Sequence, residues 1–127
     1  MEDLRYLQLS MAQHLFDQKR YAAAAHSLAD LLGTEPDNVA VRLLLARAYY
    51  HSAQLGRARD ELTELVERAP TDDYVRLLLA RTLERQGLGA EAATQRRILA
   101  ALTGDDRHLA QGTAPGPGTA PGPGTAP

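Results

Sequence analysis

Two arginines at equivalent places in a repeated peptide are the side chains best suited to binding chemistry. The heptapeptide Val-Arg-Leu-Leu-Leu-Ala-Arg occupies residues 41–47 and returns unchanged at residues 75–81, so that Arg47 and Arg81 each end one copy. A guanidinium group holds a carboxylate through forked hydrogen bonds. If the two copies form neighbouring packed helices, the two groups stand roughly 10 Å apart. That spacing suits two acidic side chains of a peptide, or one side chain and a terminal carboxylate.

Catalytic and metal-binding constellations are absent from the sequence. His14 with Asp17, and His26 with Asp30, have helical spacing, but two ligands are too few for a structural zinc site. The chain contains no cysteine, which removes thiol catalysis and cysteine-ligated metals. No phosphate-binding glycine loop occurs either. We therefore expect no enzymatic activity, no metal site and no cofactor.

Composition narrows the class of partner and the location. The net charge is −2 and the sequence pI about 6.1, whereas surfaces that follow nucleic-acid phosphates carry a strong positive excess. No stretch approaches the roughly 20 apolar residues that cross a bilayer. The acidic residues 1–10 do not resemble a secretory signal. We therefore expect a cytoplasmic protein without a membrane partner, and we do not expect it to bind nucleic acid.

Helical spacing of apolar residues extends through the body of the chain, residues 1–111. In residues 39–52, one stripe of a helix is formed by Val41, Leu44, Leu45, Ala48 and Tyr49. Gly56 interrupts the pattern, which resumes until Pro70. Pro36 and Pro70 are separated by the same interval as the two heptapeptides and mark turns. The pattern predicts an all-α fold of three helix-turn-helix hairpins, with the remaining helices near 3–17, 21–32, 74–86 and 90–103.

The segment 112–127 differs sharply from this body. It repeats the unit Gly-Thr-Ala-Pro-Gly-Pro and holds no charged residue and no large apolar one. Such a segment cannot form a helix or a core and samples extended conformations. We predict a disordered tail after a helical domain at 1–111. A spacer is the interpretation that this composition favours, and a proline-rich ligand for another domain is the alternative.

In this register the body resembles the tetratricopeptide repeat family over about residues 5–106, with repeats at 5–38, 39–72 and 73–106. The small residue at position 8 of the family pattern is Ala12, Ala46 and Ala80, and the alanine at position 20 is Ala24, Ala58 and Ala92. The usual tryptophan at position 4 is replaced by Gln8, Arg42 and Arg76. The resemblance implies a right-handed α-solenoid. We expect the arginines at position 4 to lay their stems over neighbours and leave their heads in water.

The resemblance also implies that the first helix of each hairpin lines a concave groove. The groove residues that we expect to contact a ligand are Gln13, Phe16, Arg47, Tyr50, His51, Tyr74, Arg81 and Arg85. The groove would be aromatic and aliphatic at one end and rich in arginine at the other. Arg47 and Arg81 could instead pair internally with Asp17 or Glu84.

These features predict an adaptor or scaffold that binds a peptide or helical segment of another protein, acidic in character. The clamp that some family members use for chaperone carboxylates is not expected, because its positions hold Leu9, Gln13, Leu44, Tyr74 and Leu78. The alternative is a structural module that self-associates through its solenoid ends. Only residues 105–111 follow the last hairpin, so some of Ile98, Leu99 and Leu102 should be exposed. A weak homodimer through the C-terminal repeat would cover them.

Overall fold

Seven helices make up the part of the chain that the structure, a computed structural model, describes: the backbone of residues 2–112 and the side chains of 4–109. They are α1 (Glu2–Asp17), α2 (Tyr21–Thr34), α3 (Val39–His51), α4 (Leu55–Arg68), α5 (Asp73–Arg85), α6 (Gly89–Thr103) and α7 (Arg107–Gly112). No strand occurs within 2–112. Helices adjacent in sequence pack on one another, so the predicted all-α solenoid of three hairpins is confirmed. The tail was predicted to be disordered. Its residues after Gly112 lie outside the part of the chain that the structure describes.

Polar side chains at two turns start the first helices of the second and third hairpins. The Oδ1 atom of Asn38 accepts a hydrogen bond from the backbone amide of Val41 at 3.1 Å. Asp72 does the same for Val75 at 3.2 Å. Each satisfies an amide that the helix itself leaves free. The predicted turns after Pro36 and Pro70 are therefore correct.

Alanines at the two family positions allow the helices of each hairpin to approach closely. All six are fully buried: Ala12, Ala46 and Ala80 on the first helices, and Ala24, Ala58 and Ala92 on the second helices. Around them lie the leucines that fill the core, among them Leu28, Leu45 and Leu62. Burial of leucines against a small residue gives close packing between helix backbones.

The prediction for the arginines at position 4 is wrong. Arg42 donates from Nη1 to Glu61 at 2.6 Å and from Nη2 to the Pro36 carbonyl at 2.9 Å. Arg76 donates equivalently to Gln95 and to the Pro70 carbonyl, both at 2.7 Å. The heads are held because the facing helix and the preceding turn supply acceptors at the same repeat positions. Arginine here joins the two helices of a hairpin to the turn before it.

The turn inside each hairpin places one residue in the left-handed region. Lys19, Ala53 and Gly87 occupy equivalent positions in successive repeats and have φ values of 63°, 61° and 78°. Helix α4 then begins at Leu55, so Gly56 lies in its first turn and does not interrupt it, contrary to the prediction. A side chain costs free energy in this region and glycine does not. Only the third hairpin has glycine at this position.

We expect Gly87→Ala to lower the free energy of unfolding by about 1 kcal/mol, and Ala53→Gly to raise it by about 0.5 kcal/mol. A Cβ atom added at Gly87 would meet nothing within 4 Å, so the effect comes from the backbone and not from a clash. Urea unfolding measures both changes in the free energy of unfolding, and the m value should stay the same in each variant. Equal stabilities of Gly87→Ala and the wild type would contradict the prediction.

Helix α7 covers part of the C-terminal end of the solenoid. Leu109 lies one repeat period after Val75, so α7 starts as the first helix of a further repeat would. Leu99 is buried, whereas Ile98 and Leu102 are 38% and 42% exposed. The prediction that some of these three side chains are exposed is thus confirmed, with Leu99 as the covered one. No helix within the described range is long and apolar enough to span a membrane.

Candidate functional site

Four rings meet where the first two hairpins turn. Tyr21 stacks on His51, with ring centroids 4.7 Å apart, and the edge of Phe16 meets Tyr21 at 5.0 Å. Phe16 and Tyr50 each approach His51 edge-on, at 5.8 and 5.5 Å. These offset and edge-on geometries are the favourable ones for aromatic pairs. We call Phe16, Tyr21, Tyr50 and His51 the aromatic cluster.

The repeat period brings the cluster together. Phe16 and Tyr50 hold the same repeat position near the C-terminal ends of α1 and α3, and His51 ends α3. Tyr21 begins α2 after the short turn at residues 18–20, so its ring returns to the end of α1. In the third hairpin the positions of Tyr50 and His51 hold Glu84 and Arg85. The cluster therefore meets charged residues on the side of the third repeat.

Two arginines lie on the rings of the preceding hairpin. The guanidinium carbon of Arg47 is 4.8 Å from the centroid of Phe16, and that of Arg85 is 4.7 Å from the centroid of Tyr50. Arg85 also donates from Nη1 to the Tyr50 carbonyl at 3.0 Å. A cation over an aromatic face is attracted by the ring quadrupole. Both charges are therefore positioned at the edge of the aromatic cluster.

The internal ion pairs considered for Arg47 and Arg81 do not form among the described side chains. Glu84 is held by Arg96, whose Nε and Nη2 atoms lie 3.0 and 2.9 Å from its carboxylate oxygens. Arg96 is buried at the repeat position where the other hairpins have Leu28 and Leu62. The carboxylate of Glu84 is therefore engaged within its own hairpin. The guanidinium groups of Arg47 and Arg81 therefore remain available to pair with other groups.

Partial burial among the rings lowers the pKa of His51 below its ordinary value of about 6.5, and the nearby charges of Arg47 and Arg85 lower it further. The imidazole is thus neutral at pH 7. It can accept a hydrogen bond at one nitrogen and donate at the other.

A shallow depression adjoins the aromatic cluster and adds further cations. It has a volume of about 490 Å³. Its lining includes Lys19, Arg20, Tyr21, His51 and Ser52. Since these residues come from the turn between α1 and α2 and from the end of α3, the positive charge continues along the rim of the cluster.

The structure brings together five of the predicted groove residues: Phe16, Arg47, Tyr50, His51 and Arg85. The other predicted residues, Gln13, Tyr74 and Arg81, are exposed outside the aromatic cluster.

Tyr21 belongs to the site and was missed, because the family pattern directs attention to first helices and Tyr21 begins a second one. The signal that could have found it is an aromatic residue directly after the turn that follows Phe16.

Comparisons with solved structures agree with this architecture at low sequence identity. MamA MSR-1 superposes with a TM-score of 0.75 and 20% identity, over 85% of this chain and 64% of its own. The chain therefore spans less than two thirds of that MamA chain. The TPR domain of Arabidopsis OM64 gives a TM-score of 0.73 at 13% identity, with 87% and 91% of the two chains covered. The Sgt2 TPR domain from Aspergillus fumigatus gives 0.72 at 15%, with 96% and 92% covered.

The sequence itself matches one family description. No curated protein matches the chain. The tetratricopeptide repeat description matches residues 15–82, which is more than half of the chain. The constant repeat period, the alanines buried at equivalent positions and this match lead to one conclusion: the chain belongs to the tetratricopeptide repeat family.

Proposed function

We propose that this protein is an adaptor that binds an acidic segment of another protein at the aromatic cluster. Members of its family are typically interaction modules without catalytic activity. The observation that carries the proposal is the pair Arg47 and Arg85, each fixed over a ring. Neither forms an ion pair with a described carboxylate. Charges that are positioned beforehand lose little side-chain entropy when they bind.

The geometry indicates what kind of segment would fit. The rings offer an apolar surface for one large side chain of the ligand, and the guanidinium groups on either side offer N–H donors for carboxylates. Arg85 already uses one donor on Tyr50, which leaves Arg47 the freer of the two. An apolar or aromatic residue flanked by Asp or Glu is therefore the expected core of the ligand.

Affinity capture tests this proposal. The wild-type protein serves as bait beside the double variant Arg47→Ala, Arg85→Ala, and captured proteins are identified by mass spectrometry. Proteins retained by the wild type and lost by the variant should share acidic segments that contain an apolar residue. Captured proteins that bind both baits equally would mean that the aromatic cluster is not the binding site.

We expect binding of an acidic peptide to strengthen as pH falls from about 7.5 towards about 5.5. A carboxylate bound beside His51 favours the charged imidazolium, so the pKa of His51 is higher in the complex than in the free protein. This contribution is present below the bound-state pKa and lost above it. The other side chains around His51 are Lys19, Arg20, Tyr21, Arg47, Tyr50 and Arg85.

Calorimetry in buffers of different ionisation enthalpy measures the expected proton uptake. His51→Gln should remove the pH dependence while it keeps a polar side chain of similar size. An affinity that falls as pH is lowered through this range would contradict the prediction.

A second candidate function is self-association through the solenoid ends. Ile98, Leu102 and Leu109 are each more than a third exposed near the C-terminal end of the third hairpin. Exposed apolar groups of this kind favour a weak homodimer through the C-terminal repeat. Ile98→Glu with Leu102→Glu would abolish such a dimer.

A further inference from the structure

Two cations at the turn between α1 and α2 have no counterpart in the later hairpins. Lys19 and Arg20 are exposed, and both line the depression beside the aromatic cluster. The equivalent residues of the later hairpins are uncharged: Ala53 and Gln54, then Gly87 and Leu88. Both charges therefore belong to the first hairpin and not to the repeat pattern.

The backbone of this turn is fixed against the end of α1. The amide of Lys19 donates to the Phe16 carbonyl at 2.9 Å, and the amide of Arg20 donates to the Leu15 carbonyl at 2.9 Å. Tyr21, one ring of the aromatic cluster, follows directly in the chain. The backbone positions of the two cations at the edge of the aromatic cluster are therefore set before a ligand arrives.

None of the four cations around the aromatic cluster is paired with a carboxylate among the described side chains. Lys19, Arg20 and Arg47 form no ion pair there, and Arg85 donates to a backbone carbonyl. Asp17, the acidic residue nearest to the turn in sequence, is exposed and is likewise without an ion pair in this part of the chain. The surroundings of the aromatic cluster are therefore strongly positive.

The number of cations indicates the class of anion. The proposed contacts with Arg47 and Arg85 already account for the carboxylates of an acidic segment. A phosphate monoester carries about 1.5 to 2 negative charges at pH 7 and three acceptor oxygens. Lysine binds phosphate as a point charge and arginine binds it through a fork of donors. Lys19 and Arg20 together therefore suit a phosphate group better than one more carboxylate.

Rings and cations meet in the same depression. Tyr21 and His51 line it together with Lys19 and Arg20. Among phosphoserine, phosphothreonine and phosphotyrosine, only the last combines an aromatic ring with a phosphate.

We propose that the bound segment carries a phosphotyrosine, whose ring contacts the aromatic cluster and whose phosphate is held by Lys19 and Arg20. This inference rests on the proposed function, because the same aromatic cluster receives the segment. Binding is then regulated by phosphorylation of the partner.

Calorimetry with three synthetic peptides tests this inference. The peptides share one acidic sequence and differ only in the central residue, which is tyrosine, phosphotyrosine or phosphoserine. The phosphotyrosine peptide is expected to bind the wild type at least about tenfold more tightly than the tyrosine peptide, because the phosphate adds charge-assisted hydrogen bonds. The phosphoserine peptide should gain less, since it brings no ring.

The variant Lys19→Ala with Arg20→Gln removes both cations and copies the turn of the second hairpin. Ala53 has a φ value of 61°, close to the 63° of Lys19, so the substituted turn should keep its backbone conformation. The ratio of the affinities for the phosphotyrosine and tyrosine peptides should fall from above about ten to below about three. The matched control, Arg57→Ala with Arg97→Ala, removes the same charge from exposed positions on α4 and α6 and should keep the wild-type ratio.

Three results would overturn the inference. The first is a phosphotyrosine peptide that binds no more tightly than the tyrosine peptide, and the second is a gain from phosphorylation that persists in Lys19→Ala, Arg20→Gln. The third is a phosphoserine peptide that gains as much as the phosphotyrosine peptide. A failure of the proposed function looks different, because the tyrosine and phosphotyrosine peptides would then each bind the wild type and Arg47→Ala, Arg85→Ala equally.

An anionic membrane surface is the competing source of phosphate groups. Sedimentation with phosphatidylserine vesicles, beside neutral phosphatidylcholine vesicles, measures this binding. We expect neither vesicle to bind, since segments that recognise anionic lipids carry clusters of about four to eight cations. Binding to phosphatidylserine that is lost in Lys19→Ala, Arg20→Gln, with no gain from peptide phosphorylation, would assign these cations to a membrane and overturn the inference.

Discussion

Replacing Arg47 and Arg85 together by alanine is expected to weaken binding of an acidic partner by about 3 kcal/mol, or more than a hundredfold. Both guanidinium groups lie on rings of the preceding hairpin, so the free protein already holds them in place. Each hydrogen bond from such a group to a carboxylate involves full charges on both sides, which makes it stronger than a neutral hydrogen bond. The fold should tolerate the change, because neither residue lies in the buried core.

Titration calorimetry at low and moderate salt measures this effect. Added salt should weaken the wild type more than the variant. The matched control is Arg57→Ala with Arg97→Ala, which removes the same charge from exposed positions on α4 and α6. If both double variants lose affinity equally, net charge and not the aromatic cluster determines binding. Arg81→Ala then tests whether the ligand extends along the third hairpin.

The second large effect is expected in stability. Glu84→Ala should lower the free energy of unfolding by about 2 to 3 kcal/mol, because it takes a charged partner from the buried guanidinium of Arg96. Glu84 is itself partly exposed, and this keeps the loss below that of a fully buried pair. Urea unfolding of the wild type and the variant measures the difference.

A repeat transplant provides the matched control. In the second hairpin the equivalent residues are Tyr50 and Leu62. Glu84→Tyr combined with Arg96→Leu places those residues in the third hairpin and should bring stability back to within about 1 kcal/mol of the wild type, because an apolar pair of similar volume replaces the ionic one. A combined variant less stable than Glu84→Ala would show that the ion pair is needed for the packing of α5 on α6.

The repeat period was sufficient to predict most of the architecture. Helical periodicity arises from residues three and four apart, and the identity between repeats reproduces the same local structure along the chain. For this reason the sequence alone predicted the three hairpins and the close packing at alanines such as Ala46. It also predicted that Phe16 and Tyr50 lie on the same side of their helices. Arg47 was placed at the site by the same register.

The partner of each polar side chain was decided only by the tertiary structure. Arg42 contacts Glu61, 19 residues away, and Arg85 contacts Tyr50, 35 residues away. Glu84 was considered as an internal partner for Arg47 or Arg81 but is held by Arg96.

A hydrogen bond or ring contact depends on positions within fractions of an ångström, and these follow from how whole helices pack. Local periodicity holds no such information. Register therefore predicted which side of each first helix would face a groove, and packing determined which of those side chains already have partners within the protein.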